Sequence, residues 1–204
     1  MTESLRERKK LATRRAISDA ATALFMAKGF DHTAITEIAD VVGVSSQTVL
    51  NYFPTKTDLF FDDNTWYAGP PRAVRDGCPL LAPCAAVRDW YLTDLHRRHG
   101  EGHLNRLVVY LQTISDSDTL RRRRLDDLAA LTTSLQTALK DIYREQAFWE
   151  TALGAATLTS AIMVAETETA RLSQSLAGTR LLNAAQAAAS SIFERTTCTS
   201  KRAD

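Results

Sequence analysis

Residues 33–58 constrain the fold most, because their helix-capping and helix-ending residues predict a short helix, a tight turn, a second short helix and a third helix. Thr33 is a candidate N-cap, whose hydroxyl would accept a bond from an amide of a first helix over about 34–42. Apolar residues recur on one face of that helix. Gly43 stands where the helix should end, since a residue without Cβ takes the left-handed conformation that reverses the chain.

The second helix is bounded as clearly as the first. Ser45 can cap a helix over about 46–53, and Pro54 then ends it. Thr55 begins a Thr-x-x-acid spacing, which is typical of a capping box that opens a further helix. The whole segment therefore predicts a helix-turn-helix motif over about 34–53, inside a three-helix N-terminal domain over about 11–71.

The second helix leaves hydrogen-bonding side chains facing outward, while Val49 and Phe53 point inward. Amide side chains can pair with adenine in the major groove, and Ser and Thr hydroxyls are adaptable partners there. Tyr52 and Lys56 are expected to meet phosphates. For any single residue, the alternative is a small polar side chain that merely coats a solvated helix. The predicted DNA-binding residues are Arg14, Arg15, Thr33, Thr36, Ser45, Ser46, Gln47, Thr48, Asn51, Tyr52 and Lys56.

A basic run precedes the motif, on a first helix predicted over about 5–28. Residues 6–10 include four cations and are followed by Arg14 and Arg15. Such a run can neutralise phosphates and release counterions, so DNA binding should weaken as the salt concentration rises. The alternative is a solvated, frayed N-terminus, which is common for charged chain ends.

The segment from Arg14 to Phe61 resembles the DNA-binding domain of the tetracycline-repressor (TetR) family of bacterial regulators. The likeness departs from the family at Leu50, where an aromatic residue is common. A phosphate contact made by Tyr at that position is therefore not carried over, and Leu50 would pack or touch a thymine methyl group. The matching residues are Ala20, Ala21, Leu24, Phe25, Gly29, Phe30, Thr33, Ile38, Ala39, Gly43, Val44, Ser45, Thr48, Tyr52, Phe53, Lys56 and Leu59.

Length and composition predict an all-α chain of about nine helices. With 204 residues, 45% of them hydrophobic, the chain can bury the core of a small domain and that of a larger one. Pro and Gly punctuate residues 68–83, so no long helix is expected there, and a C-terminal helical bundle is predicted over 72–204. Its helices are expected over about 84–98, 104–115, 117–144, 148–175 and 178–195.

The last two helices combine small residues with bulky apolar ones, which allows close backbone approach and leaves apolar surface to cover. A two-fold interface of four helices would cover it, and the TetR resemblance implies the same homodimer on a palindromic operator. The alternative is a bundle core within one chain. The predicted dimer residues are Ala156, Ser160, Val164, Leu182, Ala185, Ala189 and Phe193.

A small-molecule pocket is expected between the DNA-binding motif and these helices, because pockets are typically apolar with a few placed polar groups. The resemblance implies that an effector in this pocket lowers operator affinity, by preferring one of two states of the dimer. Each predicted residue is, alternatively, an ordinary core residue. The predicted effector residues are Trp66, Trp90, Tyr91, Tyr110, Gln112, Trp149 and Met163.

A histidine cluster and an arginine run could suggest a metal site and a nucleic-acid site, but their spacing predicts neither. His96, His99 and His103 lie around two glycines and lack the ligand spacing of a zinc motif, so we expect neither a metal nor a cofactor. Residues 121–124 are all Arg, but acidic residues follow from Asp126 at a spacing that favours a solvated, ion-paired helix face.

The cysteine count and the charge bear on the compartment. Cys78, Cys84 and Cys198 are odd in number, which fits reduced thiols, and redox sensing by Cys78 and Cys84 is a minor alternative. Because the net charge is only +1, positive charge cannot cover the whole surface. We expect it to be concentrated at the N-terminus. The N-terminus lacks an apolar signal segment, and we expect no membrane span. A cytoplasmic protein that associates with the nucleoid when bound to DNA is predicted.

Together these features predict a ligand-responsive transcriptional regulator, a repressor that binds double-stranded operator DNA as a homodimer and is released by a small apolar effector. One alternative is a DNA-binding regulator without such an effector, which responds to a protein partner or simply occupies its site. Another is an all-helical enzyme, but the sequence shows no Gly-rich phosphate loop, nucleophile elbow or metal signature. We therefore predict no enzymatic activity.

Overall fold

The computed structural model describes residues 4–62, 64–77 and 82–197, and these residues form helices without any β-strand. The predicted all-α fold is therefore confirmed. The helices are α1 (Leu5–Lys28), α2 (Ile35–Val42), α3 (Ser46–Tyr52), α4 (Lys56–Phe60), a 3₁₀ segment (Asn64–Ala68), α5 (Gly69–Gly77), α6 (Pro83–Gly100), α7 (Leu104–Asp116), α8 (Asp118–Ile142), α9 (Phe148–Leu172) and α10 (Gly178–Thr197). Cys78 and Cys198 lie outside the described residues.

Helix α5 was not expected, because residues 68–83 are rich in Pro and Gly. Pro70 and Pro71 lie in its first turn, where the amide that proline lacks would have no helical partner. Gly69 begins the helix against the ring of Trp90, where an added Cβ would lie 2.4 Å from ring atoms. The described part of the chain thus has ten α-helices rather than about nine.

The chain divides into two compact units. Unit 1 comprises the described residues up to Asn64 together with Thr113–Arg123, and unit 2 comprises the described residues of Thr65–Gln112 and those from Arg124 onward. Unit 1 thus ends earlier than the predicted boundary at residue 71, and it includes the segment at the α7–α8 junction. Ser117 ties that segment to the rest of unit 1, since its hydroxyl donates to Asp31 Oδ1 at 2.9 Å.

The core of unit 1 is a small aromatic and aliphatic cluster. Ile17 and Phe25 of α1 are buried, and so is Phe30, which precedes α2. The ring centroids of Phe25 and Phe30 lie 5.3 Å apart, and Phe60 packs within 5.7 Å of both. Leu24 and Val42, which helical spacing also predicts for this core, are only half-buried. The other residues predicted for it are buried: Ile17, Ala21, Phe25, Phe30, Ile38, Val49 and Phe53.

The core of unit 2 is formed mainly by α6, α8, α9 and α10. Leucines that recur every three or four residues on α8, such as Leu131 and Leu135, are buried. Tyr91 of α6 packs against Phe193 of α10, with ring centroids 6.2 Å apart. The inward faces of α9 and α10 complete this core through Leu158, Ile162, Leu181, Leu182, Ala185, Ala189 and Phe193.

The packing of α10 corrects the predicted dimer surface. Leu182, Ala185, Ala189 and Phe193 are 4% exposed or less and belong to the core of unit 2. They cannot also cover a partner subunit, because their side chains already bury their apolar area within the chain. In contrast, Ala156, Ser160 and Val164 of α9 are exposed.

A buried ion pair joins α8 to α9 inside unit 2. Arg124 Nη2 lies 2.5 Å from Glu166 Oε2, with side-chain exposures of only 10% and 8%. Arg124 Nη1 also donates to the hydroxyl of Tyr67. Burial raises the pKa of Glu166, and the charge of Arg124 opposes that shift. The expectation of a solvated face at residues 121–124 is therefore wrong for Arg124, although Arg121 does pair with Asp118 at the surface.

Helix α9 is the exception to the expectation that no segment has the length and composition of a membrane span. An 18-residue window within it has a mean hydropathy of 1.2. Core helices of globular domains have the same composition. Ile162 and Ala165 pack into the core of unit 2, and Glu166 is ion-paired there. This packing accounts for the apolar character of the inward face of α9.

The buried ion pair generates a stability prediction. Arg124→Met should lower the free energy of unfolding by about 3–5 kcal/mol, because it leaves the Glu166 carboxylate buried without its cation. Urea unfolding followed by circular dichroism measures this change. The double variant Arg124→Met/Glu166→Met should recover most of the loss, and Arg121→Met, at an exposed pair, should change stability little. Equal losses of unfolding free energy in all three variants would contradict the assignment of Arg124 and Glu166 as a buried ion pair.

Candidate nucleic-acid interface

The turn between α2 and α3 has the predicted left-handed glycine. Gly43 has φ 74° and ψ 36°, and its N–H lies within bonding range of the carbonyls of Ala39 and Asp40. The N–H of Val44 then donates to the carbonyl of Ala39 at 3.0 Å. This pattern satisfies carbonyls at the end of α2 and reverses the chain within a few residues. The predicted turn is confirmed.

The start of α2 differs from the prediction at Thr33. Its hydroxyl donates to the carbonyl of Gly29 at 2.8 Å, and the residue is only 2% exposed. The N-cap is Ala34, whose N–H donates to Glu37 Oε2 at 2.8 Å. Thr33 therefore stabilises the turn after α1, and its hydroxyl is buried rather than presented to solvent, whereas Thr36 is exposed.

Both ends of α3 are fixed by side chains. Ser45 is the N-cap, as predicted, because its Oγ accepts from the N–H of Thr48 at 3.0 Å. The two hydroxyls of Ser45 and Thr48 also lie 2.8 Å apart, so both are engaged at the helix start. At the other end, Arg14 Nη1 donates to the carbonyl of Tyr52 at 3.3 Å. The guanidinium also lies 4.2 Å from the ring centroid of Phe53.

Arg14 therefore has a positioning role that sequence reasoning missed. A cation at the C-terminus of a helix is favoured by the partial negative charge there. Its stacking on Phe53 adds a cation–π contact. Arg15, one residue later, is exposed, and its phosphate contact stays a prediction.

The outward face of α3 presents three neighbouring side chains. Gln47, Leu50 and Asn51 are exposed, while Val49 is fully buried. Gln47 Nε2 donates to Asn51 Oδ1 at 3.1 Å, so the two predicted base-reading amides are bonded to each other. Ser46, Thr48 and Tyr52 are half-buried at the margins of this face. We call Gln47, Leu50 and Asn51 the reading face.

Lys56 is bound within the protein, which corrects its predicted role as a phosphate contact alone. Its Nζ donates to the carbonyls of Phe30 at 2.9 Å and Thr33 at 3.0 Å. The ammonium also lies 4.4 Å from the ring centroid of Phe30. Two of its three donor positions are thus used to join α4 to the turn before α2.

The capping residues of α4 include a contact that was not predicted. Thr55 Oγ1 accepts from the N–H of Asp58 at 3.0 Å, as the capping spacing predicts. Asp58 also accepts from Arg123 Nη1 at 3.0 Å, 65 residues away in sequence. The Thr55 hydroxyl and the Arg123 guanidinium hold the pKa of Asp58 below its usual range. Arg123 therefore lies against α4 rather than on a solvated face.

The basic run on α1 begins at a capped helix end. Ser4 Oγ accepts from the N–H of Glu7 at 3.2 Å, and the Glu7 carboxylate accepts from the N–H of Ser4 at 2.8 Å. The cations at residues 6–10 follow on exposed positions. They are therefore available to phosphates on an ordered helix, which argues against the frayed-terminus alternative.

The predicted effector residues do not form one group. Trp66, Trp90 and Tyr91 come together, with centroid distances of 5.0 Å between the two Trp rings and 6.4 Å between Trp90 and Tyr91. Trp66 Nε1 donates to Asp94 Oδ2 at 3.1 Å, and Tyr110 packs half-buried against the same core.

The other three predicted effector residues lie at the surface. Gln112 is exposed, and Trp149 and Met163 of α9 are 65% and 39% exposed. Two open cavities occur elsewhere. One of about 720 Å³ is lined by Arg8, Leu11 and neighbouring residues of α1, and one of about 530 Å³ lies at the α8–α9 loop. Neither is lined by a predicted effector residue. The half-buried Cys84 is a free thiol.

The contacts of Lys56 generate a prediction that separates folding from DNA binding. Lys56→Ala should lower the free energy of unfolding by about 1–2 kcal/mol, because two backbone carbonyls lose a charged donor. Urea unfolding of the DNA-free protein tests this. Arg15→Ala is the matched control: it removes an exposed cation and should leave stability unchanged. If both variants keep the wild-type free energy of unfolding, Lys56 has no stabilising role and stays a predicted phosphate contact alone.

Comparison with known proteins agrees with this geometry. Residues 17–62 match the family described as bacterial regulatory proteins of the tetR family. The chain is 30% identical over 135 residues to the HTH-type transcriptional regulator RutR of Escherichia coli K12, covering 64% of this chain and 61% of that protein. The RutR of strain O157:H7 is 34% identical over 135 residues. The chain thus spans about three fifths of the length of these relatives.

Solved structures show that the whole fold is shared. NalD, the secondary repressor of the MexAB-OprM multidrug efflux pump in Pseudomonas aeruginosa, superposes with a TM-score of 0.65 at 17% identity, covering 93% of this chain and 96% of that chain. The SmeT–triclosan complex gives a TM-score of 0.64 at 13% identity, covering 92% and 91%. At such identities the likeness concerns the fold alone. The chain is thus similar to the tetR family of bacterial regulatory proteins over its helix-turn-helix segment, and it shares the fold of these solved structures.

Proposed function

We propose that the protein is a transcriptional repressor that binds a palindromic operator as a homodimer and is released by a small-molecule effector. The observation that carries this proposal is the reading face of α3, whose exposed amides are held on a helix fixed at both ends. Such a helix suits insertion into the major groove. The protein would act in the cytoplasm, on the nucleoid.

The DNA contacts divide into base contacts and phosphate contacts. Gln47 and Asn51 would face base edges, with Ser46 and Thr48 beside them. Arg15, Tyr52 and the exposed cations at residues 6–10 would meet phosphates. Because the net charge is only +1, this local positive charge would supply most of the salt-dependent part of the affinity.

The dimer would form through the outer face of α9. Leu153, Met163 and Val164 are 61%, 39% and 52% exposed, and the smaller Ala156 and Ser160 lie between them at helical spacing. An exposed apolar stripe of this kind on a helix favours burial against another subunit. On α10, the exposed residues are small or polar, including Asn183, Ala187 and Ser191. A two-fold pairing would cover the α9 stripe with its own copy.

The effector would bind unit 2 near Trp66, Trp90 and Tyr110, which are half-buried aromatic residues. The buried Arg124–Glu166 pair and Tyr67 lie in the same unit and would supply polar contacts. These groups favour an aromatic or apolar compound with a few polar atoms. The effector must bind the DNA-free state better than the DNA-bound state to release the operator.

A regulator without a small-molecule effector is the second candidate. It is favoured by the packing of predicted effector residues as core, since Tyr91 is buried against Phe193. A thermal-shift screen over apolar and aromatic compounds separates the two candidates. An effector should both raise the melting temperature and release operator DNA. If stabilising compounds leave operator binding unchanged, the effector part of the proposal fails.

Selection of fragments from the source genome tests the DNA-binding proposal directly. The purified protein should retain a small set of fragments that share an inverted repeat, with half-sites centred about one helical turn apart or a multiple of it. Binding should weaken steeply as salt rises. Retention of fragments in proportion to their abundance, at moderate salt, would overturn the proposal.

The exposed stripe on α9 generates a prediction about assembly. Val164→Glu should raise the dimer dissociation constant about a hundredfold, because an unpaired carboxylate buried at the interface costs about 3 kcal/mol or more. Sedimentation equilibrium measures this, and affinity for the palindrome should fall with it. Thr133→Glu, at an exposed position on α8, is the matched control. A Val164→Glu protein that stays dimeric would exclude this face.

A further inference from the structure

We propose that each operator half-site contains a thymine whose methyl group contacts Leu50, next to an adenine that Gln47 and Asn51 read as one hydrogen-bonded unit. This inference rests on the proposed DNA-binding function and specifies its sequence preference. It assigns base-reading roles to particular atoms of the reading face.

Leu50 is an apolar side chain that stays partly exposed on α3. It is 36% exposed, whereas its neighbour Val49 is fully buried and Phe53 is 2% exposed. Gln47 and Asn51 flank it on the same exposed face of α3. A leucine can offer no hydrogen bond to a base edge. In the major groove the apolar feature available to it is the C5 methyl group of thymine.

Gln47 and Asn51 are joined before any DNA binds. The bond from Gln47 Nε2 to Asn51 Oδ1, at 3.1 Å, spans one helical turn. With this bond made, the pair keeps Gln47 Oε1 as an acceptor, and Asn51 Nδ2 and the second hydrogen of Gln47 Nε2 remain as donors. Adenine offers one donor, N6–H, and one acceptor, N7, in the major groove. The bonded pair is complementary to that edge.

The same pair discriminates against guanine. Guanine presents two acceptors, N7 and O6, in the major groove, so Gln47 Oε1 would face another acceptor. The pair could serve both guanine acceptors only through N–H groups, which would leave Gln47 Oε1 without a partner on the base edge. The caps at Ser45 and Arg14 hold the helix itself in place, so a shift of α3 cannot easily relieve the mismatch.

Deoxyuridine substitution tests the contact of Leu50. In the selected operator, each thymine is replaced in turn by deoxyuridine, which removes only the methyl group. At one position per half-site the wild-type protein should lose about fourfold in affinity, which is the value of one buried methyl group. Leu50→Ala should bind the two DNAs within twofold of each other. Leu125→Ala, at another exposed leucine, should retain the wild-type difference.

Two results distinguish this inference from the function on which it rests. If the wild-type protein binds no duplex selectively, both fail. If it binds an operator and no deoxyuridine substitution changes its affinity, or if Leu50→Ala keeps the difference, the assignment of Leu50 is overturned and the proposed function stands.

A double-mutant cycle tests the amide pair. At the adenine beside that thymine, exchange of A·T for G·C should weaken wild-type binding about tenfold or more. Gln47→Ala and Asn51→Ala should each remove most of this discrimination. The double variant should lose little beyond either single variant, because the two residues act as one unit. If the affinity losses of the two single variants multiply in the double variant, Gln47 and Asn51 contact the bases independently. That result would overturn the proposal that they act as one unit. Both residues are exposed, so circular dichroism should show an unchanged fold.

Discussion

The position of α3 depends on the contacts at its two ends more than on any property of its outward residues. Gly43 turns the chain, Ser45 caps the N-terminus, and Arg14 bonds to the carbonyl of Tyr52 at the C-terminus. Val49 and Phe53 anchor the inner face in the aromatic core. Because a helix of seven residues is not stable by itself, these tertiary contacts make it a rigid surface. The proposed DNA contacts require that rigidity.

Several cations have structural roles that the sequence did not reveal, because the sequence patterns predicted them to be exposed. Lys56 joins α4 to the preceding turn, Arg123 bonds to Asp58, and Arg124 is buried with Glu166. Each of these groups finds an oxygen partner where solvation is reduced, which makes its removal costly. A separate group of cations lies at exposed positions 6–10 and 15 of α1, where the proposed function places phosphates. Under the proposed function, positive residues divide between stabilising the fold and attracting DNA.

The two C-terminal helices use small residues differently. On α10 the predicted interface residues face the core of unit 2, where Ala185 and Ala189 allow close packing. On α9, Ala156 and Ser160 instead lie between exposed apolar residues. The apolar character of α9 therefore comes from two faces, one in the core and one available to a partner subunit. The buried Glu166 shows that even its core face carries a charge, paired within the unit.

The sequence by itself determined the all-α class, most helix bounds, the turn at Gly43 and the caps at Ser45 and Thr55, because these depend on neighbours within a few residues. Local rules also indicated which face of α3 is exposed. Only the tertiary structure decided the partners of Arg14, Lys56 and Arg123, since their bonds join residues 23 to 65 positions apart. It likewise decided which of two similar small-residue faces is buried, because helical periodicity defines a face but not what covers it.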